Sequence, residues 1–506
     1  MIEKILMVSS EAVPFAKSGG LADVAGTLPK AIVDSGYDIR VVLPLYKTIK
    51  DVYRKDMKKV TSFNVKLGWR NQMANVYEYD LVTDNGNVLK YYLIQNDYYF
   101  ERDSLYGFDD DGERFMFFSK AVLEMLPKVD FKPQMLHCND WQTGTIPVML
   151  KEVYAKRNSF YQGMKTLYTI HNLKFQGVCG FEFLEMMELD SSYYSPSKLE
   201  YYGGVSMMKA GILYCDKLNT VSEQYSREIQ LPQYGCTLEG LLRSVSEKLY
   251  GVLNGIDNEF YNPMTDELLF KNYGANSLQN KKANKMKLQQ DMGLEIDEKK
   301  PLIAIVSRIT DQKGFDFVGE KIDELINLDC QFVILGTGEK RLEEMFEYME
   351  QKAPGKVKAN MFFSEDLANV IYGAADMILI PSRFEPCGLT QLISFRYGTV
   401  PIARFTGGLA DTVVENANPS MGTGFIFHES NGDDMMNAIK RALAAYKNDV
   451  VWTELTQKIM NLDYSWKQSG MKYVRLYEGA TGTKGGSAKS ANHPNANKIV
   501  SISTVA

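Results

Sequence analysis

The 506-residue chain is short of several features that would assign it quickly. Its six cysteines (138, 179, 215, 236, 330 and 387) form no CxxC pair and have no histidine cluster beside them, which excludes a zinc ribbon and a disulfide framework and fits reduced thiols in a cytoplasm. No stretch reaches the ~20 apolar residues of a membrane span, and the run Ile5 to Val8 after Lys4 is too short for a signal peptide. Neither GxGxxG nor GxxxxGK occurs, so dinucleotide and P-loop sites have no support. Excess positive charge is missing too: 57 Lys and Arg against 63 Asp and Glu leave −6, and a nucleic-acid backbone would be repelled. Only four histidines occur.

What is present is an α/β grammar. A strand from Lys4 to Ser10 runs through a loop, Glu11 to Gly20, into a helix, Leu21 to Asp34, and then a second strand, Ile39 to Leu43. The strands are continuously apolar, the mark of a parallel sheet covered on both faces. The same order restarts with a strand from Pro301 to Ser307, a Gln312-Lys313-Gly314 loop, a helix from Phe315 to Asn327 and a strand from Gln331 to Leu335. Two doubly wound units are therefore expected, with ligands bound between the carboxyl ends of their sheets. The polar stretch Asn258 to Lys300 contains an amphipathic helix, Asn280 to Met292, and reads as a connection. After Tyr477 the chain turns rich in Gly, Ser, Asn and Lys, a composition that does not fold.

Three clusters invite anionic or sugar ligands. Lys17-Ser18-Gly19-Gly20 joins a buried strand to a helix, so a phosphate could approach the backbone, a helix N-terminus and a mobile ammonium; a tight connector with a solvated lysine explains it equally well. Arg308 and Lys313 leave the first strand of the second half close enough to converge on one diphosphate, or to be plain surface cations. Glu385, in Ser382-Arg383-Phe384-Glu385-Pro386-Cys387-Gly388-Leu389, stands at a sheet edge where it could accept from sugar hydroxyls or merely cap a turn. Thr406-Gly407-Gly408 repeats the glycine-to-helix device. His171, ending a strand beside Asn172, is the histidine best placed to enter the cleft; His137 reads as structural, and His428 and His493 as peripheral. Asp109-Asp110-Asp111 resembles a metal-binding run but reads as a solvated turn.

The ordered set KSGGLADV, NDWQTG, TIHNLKFQG, NTVSEQYSREI, VLNGID, SRITDQKG, PSRFEPCGLTQL and TGGLADTV resembles the bacterial glycogen synthase and plant starch synthase family, glycosyltransferase family 5, from Ile5 to about Tyr477. The resemblance implies a GT-B fold. Its domains would be residues 1–255 and 299–463, joined by 256–298, with a helix over 464–478 crossing back; the tail over 479–506, expected from its composition to be disordered, has no counterpart in the family. The resemblance also implies retaining transfer of glucose from ADP-glucose to an α-1,4-glucan; with Arg308, Lys313, Lys17 and helix N-termini to stabilise the leaving diphosphate, no metal or other cofactor is expected. By the same resemblance, Lys17, Gly19 and Gly20 match the donor-binding loop and Arg308 and Lys313 the diphosphate-binding cations. His171 matches the catalytic-centre histidine and Glu385 the acid at the donor sugar. Cys387, Gly388 and Leu389 match the adjoining amides, Thr406, Gly407 and Gly408 the second glycine loop, and Asp140, Trp141 and Asn172 the acceptor side. Gln142 departs from the pattern, since many members carry histidine there. A UDP-glucose enzyme with another acceptor, or a non-catalytic glucan-binding scaffold, is the alternative expectation.

Overall fold

The computed structural model describes residues 4–482. In the first half, strands β1 (Lys4–Val8), β2 (Asp38–Pro44), β3 (Lys58–Leu67), β4 (Arg70–Val82), β5 (Val88–Gln95), β6 (Met135–Asn139) and β7 (Lys165–Ile170) precede a small antiparallel ribbon of β8 (Val178–Cys179), β9 (Glu200–Tyr201) and β10 (Gly204–Ser206). With β11 (Lys217–Thr220) and β12 (Leu249–Gly251) the main strands form one sheet in the order β12-β11-β7-β6-β1-β2-β5-β4-β3. Pairing is parallel from β12 to β5 and antiparallel where β4 joins β5 and β3. The second half holds β13 (Leu302–Val306), β14 (Gln331–Leu335), β15 (Val357–Asn360), β16 (Met377–Ile380), β17 (Val400–Arg404) and β18 (Phe425–Phe427), all parallel, in the order β15-β14-β13-β16-β17-β18.

Each sheet has its own core. Ile5 to Val8 of β1 are fully buried, and the helix Gly20–Val33 lays Leu21, Val24, Ala25, Leu28 and Ile32 on the first sheet. The second core runs from Ile256 to Met460. The stretch 256–298, expected to be a connection, packs into this second core through Leu269, Tyr273, Leu288 and Leu294. Its polarity is misleading because two lysines of the helix Gln279–Asp291 point inward. Lys285 meets Asp376 at 2.8 Å, and Lys281 donates to the carbonyls of Tyr372 and Gly373 and to the Thr399 hydroxyl. Burial lowers Lys281 to about 7. The helix expected over Phe315 to Asn327 is broken into Phe315–Gly319 and Ile322–Asn327: Gly319 is a weak helix former, and its backbone packs tightly on the Met345 sulfur.

The final helix, Trp466–Thr481, returns to the first domain. Gly470 lies against Leu28, Ala31 and Ile32, and Tyr473, Val474 and Tyr477 are buried in the first core. The helix extends three residues beyond the expected 478; the rest of the tail, 483–506 with His493, lies outside the described residues. Both passages between domains run side by side, for the amide of Ile256 donates to the Tyr464 carbonyl at 2.9 Å and Ile256 pairs with Ser465.

Candidate active site

The residues of interest follow the carboxyl ends of adjacent strands: β1, β6 and β7 in one domain, β13, β16 and β17 in the other. After β1, Glu11 folds back so that Oε2 accepts the Ser18 N–H at 2.5 Å, which shapes the loop before the helix. Burial pushes the Glu11 carboxyl up to about 7. Lys17 reaches across the cleft, pairing with Asp23 at 3.0 Å and with Glu365 of the second domain at 2.8 Å. A Cβ on Gly20 would sit 3.6 Å from Leu389, so the first glycine loop faces the 387–389 segment directly.

After β6, Asp140 adopts φ 54° and its Oδ1 accepts the main-chain N–H groups of His171 at 2.7 Å and Asn172 at 3.3 Å. Burial raises this carboxyl to about 7 despite those bonds. Trp141 is fixed by its edge contact with Phe115 and by Gly177, whose φ of +57° and lack of Cβ allow the indole to approach. Gln142 is buried, and its Oε1 has no hydrogen-bond partner among the described residues. His171 is buried, with Nε2 2.9 Å from Asn139 Oδ1, and burial drives it down to about 3. His137, read as structural, is enclosed: Nδ1 meets the Tyr477 hydroxyl at 2.9 Å and Nε2 the Thr169 hydroxyl at 2.7 Å.

In the second domain Arg308 is exposed and forms no ion pair among the described residues. Lys313 is brought to Glu385 at 2.6 Å, and the same carboxylate oxygen accepts from Ser382 at 2.8 Å. Gly314, at φ +68°, lets this loop lie on the Pro381 carbonyl. Gly388 is also left-handed, at φ +70°.

The second glycine loop does something other than offer free amides. The Gly407 N–H donates to both oxygens of Glu228 at 3.0 Å, the Thr406 hydroxyl donates to Glu228 at 3.1 Å, and the Gly408 N–H donates to the Glu385 carbonyl at 3.1 Å. A Cβ on Gly407 would meet the Glu385 carbonyl oxygen at 1.9 Å, and one on Gly408 the Cys387 carbonyl oxygen at 1.8 Å. These glycines therefore press residues 385–387 into place, and Glu228 of the first domain ties the loop across the cleft.

Glu11 and Glu228 escaped the sequence reading. The only signal for Glu11 was an acid just past a buried strand, and for Glu228 its place in NTVSEQYSREI. Of the Asp109-Asp110-Asp111 run, Asp109 lies exposed in a turn, as expected, whereas Asp110 holds Arg102 through two 2.6 Å bonds and Asp111 opens a helix and pairs with buried Arg114. Among the described residues, no group of three or more His, Cys, Asp or Glu is arranged to hold a metal ion. No described helix is long and apolar enough to cross a membrane.

Two parallel-stranded Rossmann-like domains facing one cleft, with a last helix returning to the first, define a GT-B glycosyltransferase. Residues 4–244 match the starch synthase catalytic domain model, and residues 287–458 the model for group 1 glycosyl transferases. The chain is 47% identical to the glycogen synthase of Clostridium beijerinckii over 95% of its length and 99% of that protein's, and 48% identical to that of Geobacillus stearothermophilus over 94% and 97%. Its structure matches the catalytic domain of starch synthase IV from Arabidopsis thaliana bound to ADP and acarbose, with TM-score 0.87, 31% identity and coverage of 95% and 99%. The chain belongs to the glycogen and starch synthase family. A sucrose-phosphate synthase from Thermosynechococcus elongatus, at 16% identity, TM-score 0.60 and coverage of 95% and 100%, shares the fold.

Proposed function

We propose that this chain elongates glycogen in the cytoplasm. It moves glucose from ADP-glucose to the non-reducing 4-hydroxyl of an α-1,4-glucan with retention of configuration. The observation that carries this reading is that the first glycine loop meets the second domain twice, Lys17 pairing with Glu365 and Gly20 facing Leu389, on the loop that also bears Glu385, the partner of Lys313. Family membership and the ADP in the starch synthase neighbour support the choice of donor.

In this reading Arg308, Lys313 and Lys17 neutralise the departing diphosphate, and Lys17 exchanges its Glu365 partner for a phosphate oxygen. The charge needed is supplied by side chains, so turnover survives EDTA; loss restored by magnesium would overturn that part. Glu385 has one oxygen committed to both Lys313 and Ser382, which makes it a better anchor for sugar hydroxyls than a nucleophile. That supports a front-face route, in which a leaving phosphate oxygen takes the acceptor proton, over the covalent route of retaining glycosidases. Asp140, Trp141 and Asn172 line the acceptor side.

The test is incorporation of radiolabelled glucose into glycogen from ADP-glucose and from UDP-glucose. Incorporation from ADP-glucose is expected to exceed that from UDP-glucose. A reversed preference would make it a UDP-sugar enzyme, and incorporation from neither a glucan-binding scaffold.

A further inference from the structure

Strand β6 ends in Asn139, whose side chain is fully buried. Its amide nitrogen donates to the Val8 carbonyl at 3.0 Å and to the His137 carbonyl at 3.2 Å. Both amide hydrogens are thereby used, and turning the group over would set its oxygen against two carbonyl oxygens. The orientation is thus decided by main-chain atoms, and the side-chain oxygen faces His171 Nε2 at 2.9 Å. An amide oxygen only accepts, so Nε2 must bring the hydrogen.

We infer that Asn139 is a positioning residue: it holds His171 as the neutral Nε2–H tautomer, leaving Nδ1 as an acceptor for a hydroxyl of the bound sugar. The inference rests on His171 lining the reacting site. Nδ1 makes no hydrogen bond among the described residues. The main chain at His171 is pinned by Asp140, so the ring is set from both ends. The groups around it supply no fixed charge directed at the ring. The Asp140 carboxyl is turned to the N–H groups of 171 and 172, Glu11 is bound to Ser18, the Tyr225 hydroxyl takes the Leu173 N–H, and His137 is closed off by Thr169 and Tyr477. A neutral ring presenting a lone pair would repel an anionic phosphate oxygen. His171 is therefore an orienting group for the sugar, and the charge on the leaving group falls to the lysines and Arg308 alone.

The full chain labelled with 15N in histidine tests this by long-range 15N–1H spectra, with His171 assigned by its loss in His171→Gln. The expected spectrum has a protonated Nε2 and a bare Nδ1, unchanged from about pH 5.5 to 8.5, and an Nδ1 resonance that moves when ADP-glucose is added. A protonated Nδ1, a titration within that range, or an Nδ1 indifferent to the donor would overturn the inference. Asn139→Asp sets a carboxylate beside Nε2–H and should bring the His171 titration into the neutral range. Turnover should then fall about tenfold on the acid side, with the KM for glucan little changed; an unaltered pH profile would count against the inference. If that variant does not fold, the wild-type spectrum decides alone. The free-protein spectrum needs no substrate, so a wrong tautomer is distinguishable from a failure to transfer glucose.

Discussion

Four buried groups near the cleft titrate away from their usual ranges in opposite senses. Burial lifts Glu11 and Asp140 to about 7 and lowers His137 and His171 to about 3. A carboxyl whose folded value is raised binds more protons folded than unfolded, so its contribution declines as pH rises from about 4 to about 7. A histidine whose folded value is depressed works the other way, and its contribution declines as pH falls below about 6.5. Asp140→Asn keeps an oxygen to accept the two N–H groups and removes one acid. Its stability relative to wild type should therefore grow between pH 5 and pH 8 by on the order of 1–3 kcal/mol, read from urea midpoints. A difference independent of pH would mean that Asp140 is ionised throughout. His171→Ala should cut turnover by about a hundredfold or more with only a modest loss of stability; unchanged turnover would remove it from the site.

At the level of elements, the loops after the strands do the positioning, and glycine is what lets them touch. Gly407→Ala would drive a methyl into the Glu385 carbonyl from a left-handed backbone at φ +46°. It should destabilise the second domain by about 2 kcal/mol or more and lower turnover, since Glu385 is carried on the displaced loop. Denaturation and incorporation assays on the same variant check both. The strands that open the two halves were legible because buried parallel strands are written as continuous apolar runs, and His171 and Glu385 because each follows such a run. The role of Thr406, Gly407 and Gly408 was not. A glycine pair before a helix looks the same whether it receives a phosphate or a neighbouring carbonyl, and the partner, Glu228, lies almost 180 positions away. The stretch 256–298 misled for a related reason: Lys281 and Lys285 count as polar in a composition but are satisfied inside the domain.

The whole molecule is held shut by polar contacts around the cleft. Ser222 donates to the Pro386 carbonyl at 2.6 Å, Gln224 N–H meets Asp411, and Arg404 reaches the Tyr234 hydroxyl at 3.3 Å. The Lys17–Glu365 pair is partly exposed and contributes under about 1 kcal/mol, so it guides closure more than it enforces it. The last helix crosses back as expected and becomes part of the first domain, since Tyr473 and Tyr477 complete that domain's core and its His137 network. Deleting residues 464–506 should therefore loosen the first domain while sparing the second. Hydrogen exchange would accelerate in Leu28 to Ile32 and around His137, and stay slow in β13 and β14. Faster exchange in β13 and β14 alone would contradict this.

The paired passage at Ile256 and Ser465 has one more consequence. Because both covalent crossings lie together on a single side, the far mouth of the gap is sealed only by bonds that can part. When those bonds part, the loops of both lobes are uncovered together, so the cleft opens along its length from that side.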